Sequence, residues 1–150
     1  MSRCCKNQAE TMQAKLLQMD PLRRDLLSRQ GTLQEALATY FKEPIDVRVT
    51  KQRVAPETNP IAREVTLVRR LNDIVVCRAR TEIHVQDEKA RQLILEERLG
   101  LGQIFQTLQL QATFTLEEID ENSDSFWRIY LLEAPGIACR IREEFPTKLF

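Results

Sequence analysis

The sequence predicts an α+β domain, a single six-stranded antiparallel sheet with helices packed on one side. Two observations carry that prediction. Apolar residues recur at helical spacing as far as Phe41, and from Ile45 onward the period changes to two, in six β-rich runs interrupted by a single helical stretch. Such a sheet with its helices to one side is one of the few stable layer architectures.

Met12, Leu16 and Met19, then Leu22, Leu26 and Leu27, fall at helical intervals between Ala9 and Gln30. Asp20-Pro21 is a cap and first-turn pair that restarts the helix, Gly31 ends it, and residues 1–8 read as a flexible tail. TLQE, Thr32 to Glu35, has the form of a capping box, with Ala36, Leu37, Tyr40 and Phe41 as the buried stripe of a short helix that stops before Pro44. Strands are expected at Ile45 to Val54, Ile61 to Arg70, Ile74 to Val85, Gln111 to Glu118, Phe126 to Leu132 and Ile137 to Phe145. Asn72-Asp73 and Ala134-Pro135-Gly136 are turns, and a helix runs from Asp87 to about Leu99. No repeat, low-complexity tract or linker divides residues 1–150, which read as one domain.

At 150 residues and 43% hydrophobic, such a chain buries roughly 70% of the surface that its unfolded form exposes. Twenty-two basic and twenty-two acidic side chains cancel, so no net positive field gathers phosphate backbones, and nucleic acid is not expected as a partner. No run is long enough to span a membrane and MSRCCKNQAE lacks the apolar core of a secretory signal, so a cytoplasmic protein with no membrane partner is expected.

Cys4 and Cys5 are adjacent, Cys77 and Cys139 sit singly in strand-like runs, and no CxxC pair suggests zinc. His84, the only histidine, shares an outward face with Arg78, Arg80 and Glu82, which argues against a catalytic triad or a histidine-rich metal site. EEIDENSD, Glu117 to Asp124, lacks the glycine and spacing of a calcium loop and reads as a solvated turn. Trp127 and Tyr130 read as core. Neither cofactor nor metal is expected.

Two charges fall on apolar faces. Side chains alternate along a strand, which puts Glu143 with Ile137, Cys139, Ile141 and Phe145, and Arg63 with Ile61, Val65 and Leu67. A buried charge needs a partner, a proton or a ligand. Arg63 and Glu143 are candidates for meeting across the sheet, as a structural ion pair or as parts of a site.

LGLGQIF, Leu99 to Phe105, places two of the four glycines within three residues, without the longer signature of a nucleotide loop. Gly100 stands where a helix ends, a position that favours a left-handed backbone, and a new short helix can start at Gln103 and run to Leu108. The amides around Leu101 and Gly102, like that of Leu33 in the TLQE helix, then lie at helix N-termini, where free N–H groups attract anions.

REVTLV with Arg63, LGLGQIF after a helix, FWRIYLL, and the terminal GIACRIREEFPTKLF together resemble the chorismate pyruvate-lyase family of 4-hydroxybenzoate synthases, in particular its compact branch. The resemblance covers about Leu27 to Phe150, and its most specific parts are the Glu-x-Phe-Pro segment and the motif order. It implies a six-stranded antiparallel sheet with packed helices, and conversion of chorismate into 4-hydroxybenzoate and pyruvate without a cofactor, supplying the ring of a prenylated quinone or related aromatic product. It places the family's ligand-binding arginine on Arg63, its acidic residue on Glu143, and two carboxylate-binding amides on Leu33 and Leu101. A monomer or small homo-oligomer is expected. The segment GTLQEAL matches the family pattern only loosely, and no flap insertion stands out.

Two other functional classes compete. Small-molecule sensor domains resemble the same fold, but they normally carry a helix-turn-helix, for which the residues before Gly31 are too few. A structural or interaction protein would pair Arg63 with Glu143 and fill the space around them with side chains.

Overall fold

The computed structural model describes residues 3–30, 32–54, 60–97 and 100–150. Three helices come first, α1 (Arg3–Gln18), α2 (Pro21–Ser28) and α3 (Leu33–Phe41). Strands β1 (Ile45–Val54), β2 (Ile61–Arg69) and β3 (Val75–Val85) follow, then α4 (Glu88–Glu97) and α5 (Leu101–Thr107). The chain closes with β4 (Thr113–Glu121), β5 (Ser125–Ala134), β6 (Ile137–Pro146) and a short 3₁₀ turn. The six strands form one antiparallel sheet in the order β1-β2-β3-β6-β5-β4, so the last strand is inserted beside the third and puts β6 near the middle.

The expected α+β class is the observed one. Asp20 caps α2 by accepting from the Leu22 amide at 3.1 Å, with Pro21 in the first turn. Asp73 and Gly136 take positive φ in the two expected hairpin turns. Several boundaries differ. α1 begins at Arg3 and takes in most of the segment expected to be a tail. Thr32 is the N-cap of α3 through its backbone only, its side chain making no cap bond, so the capping box is not formed; Thr32 and Glu35 front a cavity instead. Gly31 and Leu99 lie outside the described residues.

Strand β4 extends to Glu121, so most of the acidic run is strand and only Asn122 to Asp124 turn. A bulge explains this: register shifts between Leu116 and Glu118, so Ile119 rather than Glu118 stands opposite Arg128 and fills the interior while Glu118 and Asp120 face outward. Asn122 Oδ1 then closes the turn by accepting from the Asp124 and Ser125 amides, each at 2.8 Å.

The helices cover one face of the sheet. Two buried clusters fill that interface, one joining Leu26, Leu27, Leu33 and Leu37 to Leu67, Phe126 and Phe145, the other joining Ile94, Ile104 and Phe105 to Ile61, Ile83 and Ile141. Arg78, Arg80, Glu82 and His84 are exposed on the opposite face, as alternation requires. Trp127 is on that outer face too, half-buried beneath the Arg142 guanidinium, and not in the core. Among the described residues no helix is long and apolar enough to cross a membrane.

Candidate functional site

Among the described residues, three charged side chains on the helix-covered face are almost fully buried: Arg63 on β2, Arg128 on β5 and Glu143 on β6. All three line one cavity of about 1030 Å³ between the sheet and the helices. That size is at the upper end of the ~300–1,000 Å³ usual for small-molecule sites. Leu33 and Leu101, the first residues of α3 and α5, line it as well, so the four residues singled out in the sequence border a single space.

The register accounts for the opening. Arg63 stands opposite Thr81 on β3, and Glu143 stands opposite Ala79, so the two charges share a face but are separated by a strand and offset by two residues. At ordinary strand spacing and rise their Cα atoms are roughly 12 Å apart. Ala79 and Thr81, between them, are short side chains that floor the cavity.

Arg63 and Glu143 do not meet across the sheet; each takes partners nearer to it. Glu143 Oε1 accepts from Arg128 Nε at 2.6 Å, directly across the β5-β6 ladder, and Oε2 accepts from the Tyr130 hydroxyl at 2.9 Å. Arg63 donates from Nε to Gln52 Oε1 at 3.0 Å and from Nη2 to the Ile94 carbonyl at 2.9 Å. Burial pulls the Arg63 guanidinium below its usual value, with Cys139 acting in the opposite sense. Burial and the neighbouring Glu143 carboxylate push the Tyr130 hydroxyl well above its ordinary range, despite Arg128.

Arg128 and Tyr130 line the cavity as well; the sequence singles out neither as a site residue, and Tyr130 is at the same time part of the core, as its sequence position predicts. The signal is present, because Phe126, Arg128, Tyr130 and Leu132 alternate onto one face just as the residues around Glu143 do. No protein-family model matches the chain, and no curated protein matches it.

The helix starts add neutral donors. The first intrahelical bonds are Ala36 N–H to the Thr32 carbonyl and Ile104 N–H to the Gly100 carbonyl, so the amides of Leu33 and Leu101 precede each ladder. α5 starts at Leu101, two residues before the expected Gln103. Gly100 is its N-cap, with φ −63 and ψ 153, and not the left-handed end of α4. The cavity is thus bordered by a guanidinium at Arg63, a hydrogen-bonded carboxylate at Glu143 and two helix starts, with Val65, Leu132 and Phe114 supplying apolar wall. A small ligand with an anionic end and a hydroxyl-bearing or proton-releasing end matches that distribution.

Proposed function

We propose that the protein is a chorismate lyase, eliminating pyruvate from chorismate to leave 4-hydroxybenzoate without a cofactor. One observation carries this reading: Arg63, Glu143 and the first residues of α3 and α5, four positions picked out by the family resemblance, line one cavity between the sheet and the helices.

The reaction breaks the ether C–O bond at ring C3 and removes the proton at C4, and the enol released becomes pyruvate. Chorismate carries two carboxylates. The Leu33 and Leu101 amides receive the ring carboxylate, and the Arg63 guanidinium receives anionic oxygen on the departing enolpyruvyl group, each charge-assisted bond contributing about 1.5–3 kcal/mol. Glu143 accepts the C4 proton or holds the C4 hydroxyl as the ring becomes aromatic. General-base help of this kind is worth about 10²–10⁴-fold.

A second reading has an observation of its own. Both Glu143 oxygens already hold partners, an arrangement that also suits a domain that binds a hydroxylated aromatic carboxylate without turning it over. Incubation with chorismate followed by chromatographic identification of the products separates the two. Equal amounts of pyruvate and 4-hydroxybenzoate are expected of the lyase; binding of 4-hydroxybenzoate with no pyruvate released identifies the binding domain.

A further inference from the structure

We propose that Tyr130 is a positioning residue for Glu143, fixing the carboxylate in the orientation from which it meets a ligand in the cavity. The inference rests on the lyase reading and deepens it by giving a role to a side chain beyond the four that reading uses.

An ionised carboxylate has about four lone-pair sites. Two of those on Glu143 are taken, one on each oxygen, by Arg128 Nε and by the Tyr130 hydroxyl, and the residue still borders the cavity. A carboxylate anchored at both oxygens has little freedom to rotate. The anchor is itself held: the Tyr130 ring stacks on Phe114 with centroids 4.9 Å apart, and the Arg128 guanidinium stands over it at 4.5 Å. Phenylalanine would make both ring contacts, so the hydroxyl is what the position adds.

The two anchors differ. Arg128 also donates to the carbonyls of Leu27 and Arg29, at 3.3 and 2.6 Å, and so ties the end of α2 to the sheet as well as holding Glu143. Its loss would disturb the fold. The Tyr130 hydroxyl bonds Glu143, which makes Tyr130→Phe the cleaner probe, with Arg128→Lys as a second variant that keeps the charge.

The test measures steady-state pyruvate release from chorismate by the full chain. Tyr130→Phe should lower kcat about 10²-fold, the cost of a slightly misplaced catalytic group, with KM little changed and a cooperative melting profile. Arg128→Lys should retain more activity than Arg128→Met. Wild-type kcat in Tyr130→Phe overturns the positioning role, and so does a loss confined to KM. Wild-type protein that releases no pyruvate overturns the lyase reading instead, and calorimetric binding of 4-hydroxybenzoate then decides: affinity about tenfold weaker in Tyr130→Phe sustains the role. Equal affinity, or no binding by the wild type, overturns it.

Discussion

Gln52 accepts the Nε–H of Arg63 at 3.0 Å, and it does so because β1 bulges at Thr50. Val49 stands opposite Val65, but the register then shifts by one, so that Gln52 and not Lys51 stands opposite Arg63. A regular ladder would set an ammonium against a buried guanidinium; the bulge supplies an amide oxygen. Replacing Gln52 by Leu should cost about 1–3 kcal/mol, the penalty for taking a buried donor's acceptor away. Gln52→Glu, which keeps an acceptor, should cost less. Urea denaturation of the two variants checks the order, and equal stabilities would contradict it.

The Arg128–Glu143 pair makes a different prediction because both charges are buried. Removing one partner strands the other. Arg128→Met alone should destabilise the fold by about 3–5 kcal/mol, whereas the double variant Arg128→Met with Glu143→Leu should recover a large part of that loss. The double-mutant cycle, read by chemical denaturation, should show strong coupling. Additive losses would mean that the pair is not the unit of stability.

Alkaline conditions should weaken the fold. Burial raises the Cys139 thiol from 9.0 to about 12, against the pull of Arg63, and burial also raises Cys77 and Tyr130. Above pH 9 the unfolded chain loses thiol protons that the folded chain keeps, so the unfolded state binds fewer protons and stability falls as pH rises. The contribution is whole below about pH 9 and is lost as pH rises toward 12. Cys139→Ala should flatten this slope in melting temperatures taken across pH 8–11. An unchanged slope would exclude Cys139 as a source.

Gly136 sits at φ +80 in the β5-β6 turn, where a Cβ would come 3.4 Å from Asp87 Cβ. Gly136→Ala should cost about 1 kcal/mol, mainly as backbone strain at a positive φ. Thermal unfolding measures it. A neutral substitution would show that the turn relaxes freely.

Period-two alternation is enough to place Arg63 and Glu143 on the covered face, since each is a single charge among apolar neighbours. It does not reveal partners. Partner choice depends on register and strand order, and the insertion of β6 between β3 and β5 puts Arg128 beside Glu143 and leaves Arg63 a strand away. The bulges at Thr50 and Glu117 are less legible still, because one extra residue reverses the facing of everything beyond it without leaving a compositional mark. For that reason Gln52 and the full length of β4 emerge only with the structure. The Asp20-Pro21 restart and the Pro135-Gly136 turn are legible because those residues restrict or free the backbone locally.

Pyruvate release from chorismate, followed continuously for the wild-type chain beside Arg63→Ala and Glu143→Gln, tests the central claim most directly. Sustained turnover by the wild type, falling at least about 10²-fold in each variant, is the result predicted for a guanidinium that stabilises developing charge and a carboxylate that takes a proton. Release by the wild type no faster than by the two variants would contradict it.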